Sequence, residues 1–600
     1  MRLLLVFLLV SSFAVAQQGE QQLAYQYYVN GEYDKAIALY EELNEKRFSV
    51  AYYIPYFGSL LNIEDYKSAE KLAKKVAKIY PNSLNYQLEI GITQQKSGNS
   101  RKAERTFDKL YKKLNGQQSQ AINLANTFRR YEMYEDALGV YLLSEKKNSK
   151  SNFSVQKAQL YAHLGKVDLM IAEYLKELAR NPRQKQMVMA QVQRFLNNDG
   201  IKSERNYQLV KKALLPHVRA EQDRTDFSEM LIWLFMQNAQ YEMAIRQAKS
   251  LDKRTNGDGE GVYSLAESLL DKKHYNLAVN AYDYVVQKGK TNYLFVDANI
   301  NKLYALTKKI SEQQQQVIVL DKSYQQVITD LGKNKNTVLL LSNYAHFKAF
   351  YLHDLVAAEQ LLLEAMNIGG INKTDLAECK LEYADVQLLQ GNIWESLLYY
   401  SQVEKDFKEN PIGHEAKLRR AKIAYYQGDF DWAQAQLGTL KASTSKLIAN
   451  DAMDLSLLII DNFNLDTTTI AMRAFAAADL LNYQQKYDSA IEKYDSVLVN
   501  FSGHTLSDEI YMRKAEIYLK LNNIDLALQM YEKVNEDWGY DILADDALYK
   551  LAKIYDNTLK DKVKAMELYE QLLLDHNSSI FVAEARKRFR SLRGDSLEEK

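Results

Sequence analysis

Small and apolar side chains recur along this chain in a fixed order, about every 34 residues. An aromatic residue is followed three positions later by alanine at Tyr33, Tyr66, Tyr134 and Tyr275. We call that alanine, or the residue in its place, the anchor; the first four anchors are 33, 34 and 34 residues apart. The anchors are Ala36, Ala69, Ala103, Ala137, Met170, Ala244, Ala278, Ala358, Ser396, Ala433, Ala490, Ala527 and Ala565. A period of this length is typical of proteins built from stacked helical repeats.

Two further positions keep the same register. Four residues after the anchor there is usually a large ring, at Tyr40, Phe107, Tyr141, Tyr174, Tyr282, Tyr400, Tyr494, Tyr531 and Tyr569. Twelve residues before it there is a small residue, at Ala24, Gly91, Ala125, Ala158, Ala266, Ala384, Ala421, Ala478 and Ala515. Turn glycines fall between the two, at Gly31, Gly98, Gly165, Gly391 and Gly428. The pattern predicts two helices of about 13 residues in each repeat, which bury their apolar stripes only by stacking.

This order of small residue, Gly-x-Tyr-x-x-Ala and tyrosine resembles the tetratricopeptide repeat (TPR). The resemblance covers most of the chain and implies an all-α, right-handed superhelical solenoid of stacked helical hairpins. The last units, from Asp545 through Tyr569 to Arg586, resemble the repeats of envelope-assembly proteins such as BamD. That resemblance implies a bacterial envelope protein.

The register divides the chain into segments. We predict an N-terminal array over residues 17–182, an irregular middle region over 183–335, and a C-terminal array over 336–590. Residues 591–600 form a charged tail. Inside the C-terminal array, residues 442–469 have no place in the frame.

The first sixteen residues have the order of a secretory signal peptide: Met1-Arg2, an apolar run and Ala14-Val15-Ala16. A membrane anchor is the alternative, but the apolar run is shorter than the roughly 20 residues that span a bilayer. We therefore expect cleavage before Gln17 and a periplasmic protein.

Composition excludes several classes of function. Lysine plus arginine equals aspartate plus glutamate at 77 each, without a basic stripe, so we expect no nucleic-acid partner. Cys379 is the single cysteine and the eight histidines are scattered, so we expect no metal and no cofactor. Residues 256–261 resemble a calcium loop but lack its bidentate acid, which favours a plain loop.

The TPR resemblance also implies which residues face a partner. Positions 9 and 12 of the first helix in a repeat face the concave surface, where we expect exposed side chains. These positions hold Tyr25, Tyr28, Asn126, Arg129, Lys422, Tyr425, Asp479 and Asn482. Ile122 stands where chaperone-binding repeats have a lysine, so the clamp for a chaperone C-terminus is absent.

We therefore predict a non-catalytic scaffold that binds proteins or peptide segments, which we expect to be components of the envelope, in outer-membrane assembly or secretion. One alternative is a superhelical enzyme that degrades cell-wall glycan, which would require a catalytic domain with a buried general acid. The other is a secreted adhesin that uses Arg593-Gly594-Asp595.

Overall fold

The computed structural model describes residues 20–46, 49–197, 203–220, 224–309, 314–443, 445–463 and 468–594, and within these ranges it contains helices and turns but no strand. The described residues form two compact units, of which the first ends at Gln247 and the second begins at Ala248. This boundary falls inside the predicted middle region, and the predicted bounds of the two arrays stay predictions.

The helices are numbered in chain order. Helices α1 to α13 are residues 20–29, Tyr33–Lys46, Val50–Asn62, Tyr66–Ile79, Leu84–Lys96, Ser100–Lys113, Gln118–Arg130, Tyr134–Lys147, Ser154–His163, Val167–Arg180, Lys185–Asn197, Ser203–Ala220 and Asp226–Gln237. Helix α14 is Tyr241–Arg254. Helices α15 to α32 are Glu260–Asp271, Tyr275–Val286, Phe295–Lys309, Gln314–Leu331, Val338–Tyr351, Leu355–Met366, Lys373–Gln390, Ile393–Asp406, Pro411–Gln427, Phe430–Leu440, Lys446–Phe463, Ile470–Tyr483, Tyr487–Asn500, Leu506–Lys520, Ile524–Trp538, Ala544–Ile554, Lys562–Asp575 and Val582–Arg593.

The predicted repeat frame is confirmed. Every anchor is buried, and the second helix of each repeat begins three residues before it. The rings four residues after the anchor are buried as well. Gly91 and Phe107 show why small and large residues alternate: a Cβ atom added at Gly91 would lie 2.5 Å from Phe107 Cε1. The small residue lets two helices approach, and the ring fills the space between them.

The turn between the two helices of a repeat has a left-handed residue five positions before the anchor. The turn glycines have positive φ there, including Gly391 (94°) and Gly428 (77°). Residues other than glycine take the same conformation at Glu64, Glu132, Ala239, Lys273, His353, Gln485, Asn522 and Lys560. The next residue often caps the second helix, as when Asp65 Oδ1 accepts a 3.0 Å hydrogen bond from the Ser68 amide. The sequence pattern identified only the glycines.

Helix α25 interrupts the alternation of first and second helices in the second unit. It lies between the anchors Ala433 and Ala490, which are 57 positions apart, and it occupies the stretch that the repeat pattern leaves unassigned. Helix α23 packs on α26 as well as on α24, as successive first helices of a repeat array do. Helix α25 is therefore an added element beside the stack.

The C-terminal end of α26 reaches earlier repeats. Gln484 Nε2 donates a 3.0 Å hydrogen bond to the Leu388 carbonyl oxygen, and Gln485 Nε2 donates a 3.4 Å bond to that of Phe350. First helices of three repeats thus come together at one place. No helix among the described residues is both long enough and apolar enough to cross a membrane.

Candidate partner-binding cavity

A cavity of about 1000 Å³ lies in the second unit where these helices meet. Four of the eight predicted site residues line it, namely Lys422, Tyr425, Asp479 and Asn482. The repeat register therefore located residues that come together in space, although they are up to 60 positions apart in the sequence.

The other walls come from helices α18, α19, α25 and α28 and from the turns. The added helix α25 contributes Asp451, Asp454, Leu455 and Leu458. Helices α18 and α19 and the turn after them contribute Val317, His346, Phe350, Tyr351 and His353. His346 is held by the fold, because its Nδ1 lies 2.8 Å from Glu382 Oε1.

Asp479 on this wall is held by three side chains of the protein itself. Tyr425 donates a 2.7 Å hydrogen bond to Asp479 Oδ2, Tyr494 donates to Oδ1, and Arg513 Nε lies 3.3 Å from Oδ1. Burial and the neighbouring Asp479 carboxylate raise the pKa of the Tyr425 hydroxyl. These contacts make the wall rigid.

The expectation that all these positions are exposed is wrong for two of them. Tyr425 is 2% exposed and the Asp479 side chain is 10% exposed. The physical reason is that the Tyr425 ring packs in the core between α23 and α26. Its hydroxyl donates a hydrogen bond to Asp479, which offsets part of the free-energy cost of burying that carboxylate. Lys422 and Asn482 are partly exposed.

The Asp479 arrangement repeats along the array. An acid eleven residues before the anchor pairs with a base 34 residues later in Asp385–Arg419, Asp479–Arg513 and Glu516–Lys550. Tyr400 also donates to Asp385, as Tyr494 does to Asp479. The repeat pattern identifies Tyr400 and Tyr494 only as rings that follow the anchor. The acid and base that recur one repeat apart are the sequence signal that could have identified the ion pairs.

Three charged groups on the cavity wall have no opposite charge from the chain. Lys422 makes no hydrogen bond or ion pair with any residue that the structure describes. Asp451 and Asp454, one turn apart on α25, likewise have no ion-pair partner among the described side chains. Partial burial and the nearby Asp451 raise the pKa of the Asp454 carboxyl.

Asn482 lines the cavity, but its amide oxygen is turned into the protein. Asn482 Oδ1 is buried and accepts no hydrogen bond within the described part of the chain. Buried polar atoms almost always have a partner. The accessible surface of Asn482 Oδ1 is close to zero, so a molecule in the cavity does not reach this atom.

The other four predicted residues lie in the first unit and do not line the cavity. The Tyr25 and Tyr28 rings, on α1, have centroids 6.2 Å apart, and Tyr25 is 54% exposed. Tyr28 packs over Gly58, where an added Cβ atom would lie 3.0 Å from the ring. Asn126 and Arg129 are exposed on α7. Their role in binding stays a prediction.

The structure gives no support for a metal site in the described ranges, where no group of three or more histidine, cysteine, aspartate or glutamate side chains could hold an ion. At the predicted loop, residues 256–261, Asp252 Oδ1 accepts a 2.8 Å bond from the Gly259 amide. Lys288 Nζ donates a 2.7 Å bond to the Gly257 carbonyl oxygen and lies 2.5 Å from Asp252 Oδ2. An ammonium group thus occupies the loop.

Two sequence predictions fall wholly or partly outside the described residues. The signal peptide, residues 1–16, lies outside them. Of the terminal tripeptide, Arg593 ends helix α32, Gly594 caps it with φ 83°, and Asp595 is not described.

Comparisons with known proteins agree with the repeat frame. Residues 463–572 match the family model of the tetratricopeptide repeat protein 21 ARM repeat. The chain is also similar to the TPR repeat-containing protein MJ1428 of Methanocaldococcus jannaschii, with 30% identity over 166 residues. That match covers 26% of this chain and 28% of the relative, so the chain spans little more than a quarter of the length of this curated relative.

Solved structures give a weaker likeness. The crystal structure of yeast Tom70 has 14% identity, covers 96% of this chain and 97% of its own, and superimposes with a TM-score of 0.27. A tetratricopeptide repeat protein from Parabacteroides merdae has 13% identity, covers 49% of this chain and 98% of its own, and gives a TM-score of 0.25. Superpositions with TM-scores this low support no statement about function. The buried anchors, the regular helical hairpins and the two sequence matches make this chain a TPR-like helical-repeat protein.

Proposed function

We propose that this protein is a non-catalytic scaffold of the bacterial cell envelope that holds segments of partner proteins in the cavity of its second unit. The observation that carries the proposal is the cavity of about 1000 Å³, whose wall includes four side chains at the predicted partner-facing positions. Its volume is at the upper end of the range for ligand pockets, roughly 300–1,000 Å³. TPR-like repeat arrays typically mediate protein–protein interactions, which supports a protein segment as the occupant.

The arrangement of carboxylates favours binding over glycan hydrolysis. A glycosidase places two carboxyl groups on either side of the scissile bond. Asp451 and Asp454 are one turn apart on the same helix, so they approach a ligand from the same side. Asp479 is already occupied by Tyr425, Tyr494 and Arg513. This geometry supports a holding role.

The envelope location rests on the N-terminal pattern and on the resemblance of the last units to envelope-assembly repeats. We propose export through the signal peptide and a role in outer-membrane assembly or secretion. N-terminal sequencing of the protein from its native host tests the location. The expected first residue is Gln17 in a periplasmic fraction, whereas intact Met1 in the cytoplasm would contradict export.

Photo-crosslinking tests the binding site. A benzoylphenylalanine at Leu458, which lines the cavity, should crosslink in living cells to one or a few envelope proteins. The control position is Val499, which is 78% exposed and outside the cavity. A partner identified at Leu458 is then purified, and Lys422→Glu should weaken its binding at least about tenfold, or 1.4 kcal/mol. Lys493→Glu, on an exposed part of α27, is the matched control.

The proposal fails if Leu458 gives no protein crosslink above that at Val499. It also fails if the purified partner binds Lys422→Glu as tightly as it binds the unchanged protein.

A further inference from the structure

Asn462, near the C-terminal end of α25, joins this helix to the beginning of α28. Its Nδ2 donates a 2.9 Å hydrogen bond to Glu509 Oε1, and its Oδ1 accepts a 2.7 Å bond from the Thr505 hydroxyl. Asn462 is 1% exposed, so these bonds are shielded from water. We call the three residues the α25–α28 contact. Helix α25 forms one wall of the cavity, and the contact therefore helps to hold that wall in place.

We propose that the α25–α28 contact is a pH-dependent attachment, which holds the C-terminal end of α25 on α28 while Glu509 is protonated and releases it when Glu509 ionises. The position of a cavity wall would then depend on one proton. The inference goes beyond the proposed scaffold function and holds for any molecule that binds in the cavity.

The surroundings of Glu509 suit a neutral carboxyl group. Its Oε1 accepts from an uncharged amide, and its Oε2 is buried and receives no hydrogen bond from a described donor. The neighbouring Asp508, which is 3% exposed, adds a like charge. An ionised carboxylate there loses its water and gains no cation, which is costly. Burial and Asp508 accordingly raise the pKa of Glu509 to about 9.

No cation in the described part of the surrounding helices neutralises an ionised Glu509. The charged groups that reach α28 from α26, α27 and α30 pair with other residues of α28, as Asp479–Arg513, Asp495–Lys514 and Lys550–Glu516. Helix α29 places the Trp538 ring 5.7 Å from that of Tyr511. Before α28, His504 Nδ1 accepts a 3.2 Å bond from a backbone amide. Within the described ranges, no lysine, arginine or histidine forms an ion pair with Asp508 or Glu509.

The other contacts of α25 do not involve Glu509. Gln434 Nε2, on α24, donates a 2.8 Å bond to the Ser456 carbonyl oxygen, and the Ser456 hydroxyl donates a 2.7 Å bond to Gln434 Oε1. Ile448 and Ala452 are buried in the core that α25 shares with α23 and α24. We therefore expect ionisation of Glu509 to release only the last turns of α25, after Ser456.

The direction of the pH effect follows from the two states of the contact. After release, Glu509 is hydrated and has its ordinary pKa of 4.5, whereas the intact contact holds the pKa at about 9. Between these values the intact contact binds a proton that the released one has lost. The equilibrium constant for release therefore rises with pH, by up to about tenfold per pH unit.

Hydrogen exchange of the full chain, followed by mass spectrometry at about pH 6 and about pH 8, tests the inference. Rates are corrected for the intrinsic exchange rate at each pH. In the unchanged protein, residues 456–463 should be less protected than α22, and their protection should fall at least about tenfold over this interval. Glu509→Gln should abolish the fall, because an amide does not ionise. The exposed control Glu536→Gln should behave as the unchanged protein does.

An equal fall in Glu509→Gln, or no fall in the unchanged protein, overturns the inference. Protection of residues 456–463 equal to that of α22 at both pH values also overturns it, because release would then require unfolding of the whole unit. If Glu509→Gln does not fold, Thr505→Val decides, since it removes the hydroxyl that binds Asn462. At pH 6 residues 456–463 should exchange at least about threefold faster in this variant, and an unchanged rate overturns the inference.

Discussion

The hydroxyl group of Tyr425 donates a 2.7 Å hydrogen bond to Asp479, which lies 54 residues later in the sequence. The bond joins α23 to α26 across the position of the added helix α25. Both residues occupy repeat positions that we predicted to face a partner, yet their hydrogen bond fixes the cavity wall. Lys422, Asp451 and Asp454 also line the cavity, and none of them has an ion-pair partner among the described residues.

Removal of the Tyr425 hydroxyl should therefore lower stability. We expect Tyr425→Phe to reduce the free energy of unfolding of the second unit by about 1–3 kcal/mol, because Asp479 loses a donor inside the protein. The measurement is urea denaturation followed by circular dichroism. Lys422 is partly exposed and has no ion pair among the described residues. Lys422→Ala should therefore change the free energy of unfolding by less than about 0.5 kcal/mol. Equal losses of stability in Tyr425→Phe and Lys422→Ala would contradict the structural role assigned to the Tyr425 hydroxyl.

Tyr494 and Tyr531 occupy the same position of their repeats, and their hydroxyl groups differ in hydrogen bonding. Tyr494 donates to Asp479, whereas Tyr531 Oη is buried with no hydrogen-bond partner among the described residues. We expect Tyr494→Phe to cost about 1–3 kcal/mol and Tyr531→Phe to be close to neutral. Tyr531→Ala should cost about 3–5 kcal/mol, since it leaves a cavity in the core. Urea midpoints of the three variants test this order, and a large loss in Tyr531→Phe would contradict it.

The left-handed conformation of the turn predicts opposite changes in stability for a glycine-to-alanine and an alanine-to-glycine substitution. Gly98 has φ 81° and no atom within 4 Å of an added Cβ, so Gly98→Ala tests backbone strain alone. We expect it to cost about 1–2 kcal/mol. Ala239 has φ 52°, and Ala239→Gly should be neutral or stabilising by up to about 1 kcal/mol, because relief of strain offsets the greater freedom of glycine when unfolded. Thermal melting of both variants is the measurement. A stabilising Gly98→Ala would show that the turn is not left-handed.

Glu509 predicts a dependence of stability on pH. Burial and the neighbouring Asp508 raise the pKa of Glu509 to about 9 from its ordinary 4.5. Between these values the folded protein binds a proton that the unfolded chain has released. The contribution of Glu509 to stability is therefore fully present below about pH 4.5 and is lost as pH rises towards 9, by at most about 1.4 kcal/mol per pH unit.

The variant Glu509→Gln should remove that slope, because an amide does not titrate. Its Oε1 can still accept from Asn462, which donates a 2.9 Å bond to Glu509. Urea midpoints at about pH 6 and about pH 8 compare the two proteins. Glu536→Gln, on an exposed part of α29, should leave the slope unchanged. An equal slope in Glu509→Gln would assign the dependence to other groups.

The sequence by itself determined the repeat frame and the hairpins. Anchor alanines, the rings four residues later and the small residues twelve residues earlier act within one repeat or on its neighbour, so their spacing is visible along the chain. The same register located Lys422 and Asn482 on the cavity wall. The register wrongly predicted that Tyr425 is exposed, because the burial of its ring depends on packing between α23 and α26.

Only the tertiary structure decided the cavity and its chemistry. Residues 442–469 show no repeat pattern, yet they contain α25, which brings Asp451 and Asp454 to the cavity. The contact of Tyr483 with Asp385 spans 98 positions and measures 3.0 Å. Such pairs carry no local signal, since helical periodicity records which face of a helix is buried but not which helix covers it. The stacking of several repeats places Asp479 beside Arg513 and leaves Lys422 without an ion-pair partner among the described residues.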